Sequence, residues 1–218
     1  MSSAAERLRI VQDGIAAAAR LARRDPAKVQ LIAVSKGRSS EEIESLIAAG
    51  HRDFGENRVQ EALGKWPELL ARHPNVRLHE IGRLQSNKAA EAVKLFDVIH
   101  SLDRTSLLDA LVKEAEKTKR LPTAYVQVNI GAEEQKGGCP IDEIDSLVEA
   151  VRASPLPLAG LMCIPPQDVD PAPYFALLAE LARRHDVKGL SMGMSADYKE
   201  AVMLGATAVR VGTALFEA

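Results

Sequence analysis

Several residues of this chain have types and spacings suited to covalent and anion-binding chemistry. Lys36 directly follows the run Leu31-Ile32-Ala33-Val34-Ser35. A lysine at the end of an apolar strand is commonly a solvated terminus. Partly desolvated, its amine loses its proton more readily and attacks an aldehyde to form a Schiff base. On its own, Lys36 fits either reading. Arg210, between Val209 and Val211, fits a surface strand position or a buried ion pair. Facing inward, it would instead be a fixed cation suited to a ring-nitrogen acceptor or an anionic group. The segment Ser191-Met192-Gly193-Met194-Ser195 precedes a helical pattern over 196–204, and Gly212-Thr213 opens the last helical stretch. Each offers backbone N–H groups and hydroxyls to a dianion, or is an ordinary helix cap.

Such residues act together only if the fold brings them to one place. After an Ala-rich amphipathic helix expected over 4–24, short apolar runs alternate with helical patterns to the end of the chain. That rhythm marks parallel βα units. Strands are predicted at Leu31–Val34, Arg52–Gly55, Arg77–Ile81, Asp97–His100, Ala124–Ile130, Leu158–Met162, Gly189–Ser191 and Ala208–Val211. Ser39 with Glu42 forms a capping-box pattern, and Gly50 and Gly205 stop helices. Eight such units close into a (β/α)8 TIM barrel with an extra N-terminal helix, taken as a single domain over residues 1–218.

In this barrel, loops at the carboxyl ends of the strands carry the chemistry, and those after strands seven and eight form the usual phosphate site. Lys36, Asn57, Asn129, Met162, Ser191 and Gly212 all fall at or just past strand ends. Strand parity puts Ile32, Val34 and Lys36 on one face, and Tyr125, Gln127 and Asn129 on another. His79 and His100 read as core histidines or as supports behind the site, and Met162, Met192 and Met194 as pocket packing. Glu133–Gly138 reads as a flexible loop, over the mouth or plain surface.

Composition narrows the function class. Lys+Arg of 28 against Asp+Glu of 30 leaves a net charge of −2, with no single-sign block. That disfavours nucleic acid and membrane surfaces as partners. The two cysteines match neither a disulfide framework nor a zinc spacing, the five histidines form no metal motif, and the N-terminus lacks an export pattern. A cytoplasmic location follows as the expectation.

Taken in order, the motifs resemble the pyridoxal phosphate homeostasis proteins, a family close in fold to the N-terminal barrel of bacterial alanine racemase. They are Val34-Ser35-Lys36, Phe54-Gly55-Glu56-Asn57, His79 and Ile81-Gly82 with Leu84–Lys88, and Gln127-Val128-Asn129. Glu133, Lys136 and Gly138, then Gly160-Leu161-Met162, Ser191–Ser195 and Arg210-Val211-Gly212-Thr213 complete the series. The resemblance implies that Lys36 carries pyridoxal 5'-phosphate as a Schiff base and that Arg210 meets the pyridine nitrogen. It implies that Ser191, Gly193, Ser195, Gly212 and Thr213 hold the phosphate, with Asn57 beside the ring and Met162 lining the pocket. It further implies a largely monomeric protein that buffers the cofactor pool and delivers it to apo-enzymes. The chain departs from the family pattern at Gly37-Arg38 after the lysine and in its ending, Phe216-Glu217-Ala218, which leaves the last helix open.

An arginine at the ring nitrogen disfavours protonation there and weakens the cofactor as an electron sink. A two-base racemase also needs a second acid or base opposite the lysine, and none of Tyr125, Tyr174 and Tyr198 is placed by the pattern to serve. The expectation is therefore a binding protein without substantial catalysis. A small racemase is the alternative, and a cofactor-free barrel lyase using Lys36 on a carbonyl substrate is a third reading.

Overall fold

A computed structural model describes residues 2–133 and 135–217. Eight parallel strands close into a barrel in sequence order: β1 (Gln30–Val34), β2 (Asp53–Glu56), β3 (Arg77–Glu80), β4 (Val98–Leu102), β5 (Thr123–Val128), β6 (Leu158–Cys163), β7 (Gly189–Ser191) and β8 (Ala208–Val211). Pairing of β1 with β8, including Ile32 opposite Arg210, completes the ring. The helices are α1 (Ala4–Leu21), α2 (Ser40–Ala48), α3 (Val59–Leu63), α4 (Trp66–Arg72), α5 (Ala89–Leu95), α6 (Thr105–Thr118), α7 (Ile144–Ala153), α8 (Ala172–Arg184), α9 (Tyr198–Met203) and α10 (Thr213–Phe216). Among the described residues no helix is long and apolar enough to cross a membrane.

The expected barrel and its extra N-terminal helix are present, with shifted boundaries. Strand β5 ends at Val128 rather than Ile130, because the Asn129 N–H bonds to the Cys139 carbonyl and the Ile130 N–H turns back to Val128. Helix α1 stops at Leu21, short of Arg24, where Arg23 takes φ 56° before Asp25 and Pro26. Helix α9 begins at Tyr198, because Met194 to Asp197 forms a turn in which the Asp197 carboxylate accepts from the Met194 N–H at 2.5 Å.

Side-chain alternation divides the core in two. Leu31, Ala33, Phe54, Leu78, Ile99, Val126, Leu161, Leu190 and Val209 belong to the apolar layer between strands and helices. Trp66, Phe96 and Phe175 fill the same layer and are fully buried; truncating any of them to alanine costs roughly 3–5 kcal/mol. The opposite parity points into the barrel, and there the packing is unusually polar: His79, His100, Gln127, Ser191 and Arg210 are all buried.

Helix α1 packs on α9 and α10, burying Leu8, Val11, Ile15, Ala18 and Ala19. Past its end, the Arg24 guanidinium donates to the carbonyls of Val202 and Ala206, the latter at 2.8 Å. Near its start, Arg7 donates to the Leu215 carbonyl at 2.7 Å. The carbonyl ends of the two short helices after β7 and β8 are thus held from outside by one long helix.

Candidate functional site

At the carboxyl ends of β1, β7 and β8 lies a cavity of about 410 Å³, lined by Val34, Lys36, Arg38, Met194, Ser195, Ala196, Arg210, Gly212, Thr213 and Glu217. Lys36 sits in the turn after β1 and is exposed, so its amine is available to a ligand in this space. The turn is held from behind. Ser35 donates to Glu56 Oε1 at 2.6 Å, Trp66 donates to the same oxygen at 2.9 Å, and Lys65 pairs with it at 2.9 Å. The Lys65 ammonium also donates to the Ser35 carbonyl at 2.8 Å. Glu56 is fully buried, and such a charge persists inside a protein only with partners of this kind.

Arg210 is 3% exposed, and its position is over-determined. Its backbone N–H donates to the Gly193 carbonyl at 2.9 Å, Nη1 to Ser191 Oγ at 2.6 Å and Nη2 to the Cys163 carbonyl at 2.9 Å. Burial pushes its pKa below the usual value, yet a guanidinium stays charged in proteins. Among the described residues it forms no salt bridge. The buried ion-pair reading therefore fails, and Arg210 stands as an unneutralised cation beneath the cavity.

The loops after β7 and β8 meet at the other side. Gly212 donates its N–H to Ser195 Oγ at 3.2 Å, so the two loops share one polar junction. Gly193 takes φ +95°, a conformation that favours glycine, and a Cβ there would fall 2.5 Å from the Ala201 side chain.

Of the residues singled out in the sequence, Lys36, Ser195, Arg210, Gly212 and Thr213 line this cavity. Ser191 and Gly193 are buried behind it, where each holds Arg210. Met162 is fully buried, opposite Gln127 on β5 and Ser191 on β7. Asn57 is half-buried in the loop after β2; its carbonyl packs on Gly82, where an added Cβ would lie 2.1 Å away. The sequence reading missed Arg38 and Glu217 as lining groups. They pair with each other, and the Arg38 guanidinium lies 5.3 Å from the Phe216 ring centroid. The departure at Gly37-Arg38 was the available signal.

In the 133–138 loop, Lys136 pairs with Glu133 at 2.6 Å and donates to the Pro165 carbonyl at 3.2 Å. It lines a neighbouring cavity with Met194 and Ala196. Glu134 lies outside the described residues. Cys139 and Cys163 are free and buried, and burial pushes both thiols up to about 12. They are poor nucleophiles. The described residues hold no group of three or more His, Cys, Asp or Glu able to bind a metal.

The donor set fits a phosphorylated aromatic aldehyde. Lys36 supplies a primary amine, Arg210 a donor for a ring nitrogen, and Ser195, Thr213 and the Gly212 junction polar groups for a phosphate. At the rim, Arg38 is already paired with Glu217 and Glu42.

Residues 10–218 match the family described as alanine racemase, N-terminal domain. The chain is 41% identical to the pyridoxal phosphate homeostasis protein of Pseudomonas aeruginosa, covering 100% of this chain and 96% of that protein. It is 37% identical to the protein of that name from Escherichia coli, covering 100% and 97%. Among solved structures it is similar to PipY of Synechococcus elongatus with PLP bound, at 38% identity and TM-score 0.80 over 93% of this chain and 99% of that one. An alanine racemase from Clostridium difficile shares the fold at 14% identity and TM-score 0.71, over 95% of this chain but 56% of its own.

Proposed function

The chain belongs to the pyridoxal phosphate homeostasis proteins, within the alanine racemase N-terminal domain family, and from that membership we propose that it binds pyridoxal 5'-phosphate on Lys36 and buffers the cell's supply of it. The observation that carries this reading is the convergence of an exposed primary amine, a buried guanidinium and the Ser195–Gly212 junction on one cavity. The bound cofactor supplies an electrophilic aldehyde joined to an aromatic ring. Lys36 attaches it, Arg210 donates toward the ring nitrogen, and Ser195, Gly212 and Thr213 cradle the phosphate. Ser191 and Gly193 serve from behind by fixing Arg210, while Asn57 and Met162 border the ring side.

A role without substantial catalysis is supported by what the cavity contains. Its titratable lining groups are Lys36, Arg38, Arg210 and Glu217, and Glu217 is committed to Arg38. Tyr125 stacks inside the barrel on His100, and Tyr198 is buried where α9 packs on α1. Among the described residues, a proton abstracted on the side away from Lys36 therefore lacks an acceptor. The proposal extends to a single-domain monomer in the cytoplasm that hands the cofactor to apo-enzymes through the open mouth at the exposed lysine.

The test is the absorption spectrum of the protein after incubation with pyridoxal 5'-phosphate, before and after borohydride, with the reduced adduct mapped by mass spectrometry. The expected label is on Lys36 alone, and Lys36→Ala abolishes it while leaving weak, dialysable binding. A label on Lys136, or none, overturns the assignment. Incubation of the loaded protein with L-alanine in deuterium oxide addresses the racemase alternative: rapid Cα exchange would refute the non-catalytic reading.

A further inference from the structure

A continuous line of hydrogen bonds crosses the barrel interior from its amino-terminal floor to the mouth. Asp53 Oδ1 lies 3.2 Å from His79 Nε2. His79 Nδ1 lies 3.0 Å from His100 Nε2, and His100 Nδ1 lies 2.9 Å from Ser191 Oγ. Ser191 Oγ in turn accepts from Arg210 at 2.6 Å. From this geometry we infer that Asp53, His79 and His100 are positioning residues, forming a one-way relay that aims the Arg210 guanidinium through Ser191.

The two ends fix the direction. Arg210 can only donate, and an ionised carboxylate can only accept. Asp53 is ionised: burial works against its charge, but hydrogen bonds from His79 and Arg77 outweigh it and hold the carboxyl at about 2. His79 therefore donates from Nε2. At the other end Ser191 accepts from Arg210, and His100 Nδ1 is the partner for its own proton, so His100 accepts on Nδ1 and donates from Nε2 to His79 Nδ1. Burial, then the nearby His79 and Arg210, push the His100 pKa well below its usual value, so this ring stays neutral. With its proton committed to His100, Ser191 presents a lone pair to Arg210 and nothing else. Every dipole in the line then points its negative end toward the guanidinium, which forms no salt bridge among the described residues.

The surroundings hold the line in place without interrupting it. Gln30 donates to Asp53 Oδ1 at 2.8 Å and Arg77 donates to the same oxygen at 2.8 Å, while His51 bonds the Asp53 carbonyl at 2.7 Å. Tyr125 stacks on His100, with centroids 4.5 Å apart and an 11° interplanar angle. Asp53 and His51 also line a cavity at the barrel floor with Gln30 and Arg52, so the anionic end of the relay is open to water on the face opposite Lys36.

His79 touches neither Ser191 nor Arg210, which makes it the informative position. The first measurement is the nitrogen-15 spectrum of the histidine side chains in cofactor-free protein at neutral pH. His100 is expected as the neutral Nε2–H tautomer, with His79 accepting on Nδ1; His100 carrying its proton on Nδ1, or charged, overturns the relay. The second compares His79→Asn, which can place an acceptor near Nδ1, with His79→Phe, which cannot. In His79→Phe, His100 is expected to populate the Nδ1–H tautomer, the absorption maximum of bound pyridoxal 5'-phosphate to shift, and its dissociation constant to rise about tenfold, the 1.4 kcal/mol of one hydrogen bond. His79→Asn should stay within about twofold of the parent. Identical behaviour of the two variants overturns the proposal. The cofactor readout rests on the binding role of Arg210 proposed above. Failure of the parent protein to bind pyridoxal 5'-phosphate sinks that role, whereas the tautomers decide the relay without any ligand.

Discussion

The Gly212 N–H donates to Ser195 Oγ at 3.2 Å, tying together the loops that follow β7 and β8. A hydroxyl that already accepts from one backbone N–H keeps its own proton to donate, and here that proton is available to the cavity. Ser195→Ala removes both roles. Affinity for pyridoxal 5'-phosphate should fall about tenfold, while affinity for pyridoxal, which lacks the phosphate, stays unchanged. Fluorescence titrations of the two compounds against parent and variant make the comparison. An equal loss for both would place Ser195 away from the phosphate.

Gly193→Ala tests the backbone beneath the same loop. The substitution must adopt φ near +95° and bring its methyl to 2.5 Å from Ala201 and 3.1 Å from the Tyr198 backbone. A destabilisation of about 2–3 kcal/mol is expected in urea unfolding. Because Gly193 carries the carbonyl that accepts from the Arg210 N–H, cofactor retention should fall as well.

Arg24 makes its contacts well away from the cavity-lining residues, at the carboxyl end of α9, through the carbonyls of Val202 and Ala206. Arg24→Ala should lower stability by roughly 1–2 kcal/mol. It should also loosen the loop after β7 measurably, seen as faster hydrogen exchange in 193–206 than in the parent. Unchanged exchange there would mean that α1 supports the barrel without supporting the site.

Glu80 gives a pH prediction of definite sign. Burial raises its carboxyl to about 8, with hydrogen bonds from Ser101 and the Gly82 N–H only partly opposing the shift. Between the unfolded value near 4.5 and about 8, the native state holds a proton that the unfolded chain has released. Stability from this group is therefore complete at low pH and declines as pH rises through that window. Glu80→Gln carries no such proton. Relative to the parent, it should gain on the order of 4 kcal/mol between pH 4.5 and pH 8, measured by denaturant midpoints. A constant difference across that range would contradict a protonated Glu80.

The parts of this molecule that were legible in the sequence are those governed by period and chain order. Apolar runs separated by helical patterns specify a closed parallel barrel, and the rule that strand ends carry chemistry picks out Lys36, Ser195, Arg210, Gly212 and Thr213. Parity grouped Lys36 with Ile32 and Val34 on one face, although it lies in the turn past β1, and left Arg210 a choice of two. What parity lacks is partnership. Whether a buried arginine finds a carboxylate, a carbonyl or a serine depends on neighbours across the ring, so the absence of a salt bridge at Arg210 and the serine behind it emerge only in three dimensions. Arg38 was visible as an odd residue, but its place on the cavity rim depends on how the chain's last turn folds back. Glu56 stood only as part of the Phe54–Asn57 motif, whereas its buried oxygen collects Ser35, Lys65 and Trp66.

The clasp of α1 on α9 and α10 also sets an order of events. Helix α1 meets α9 and α10 only once the chain through β7 and β8 is present. The pairing of β1 with β8 imposes the same delay. Contacts this distant in sequence form late and slowly. The loops after β7 and β8 therefore gain their support from α1 and β1 late in folding.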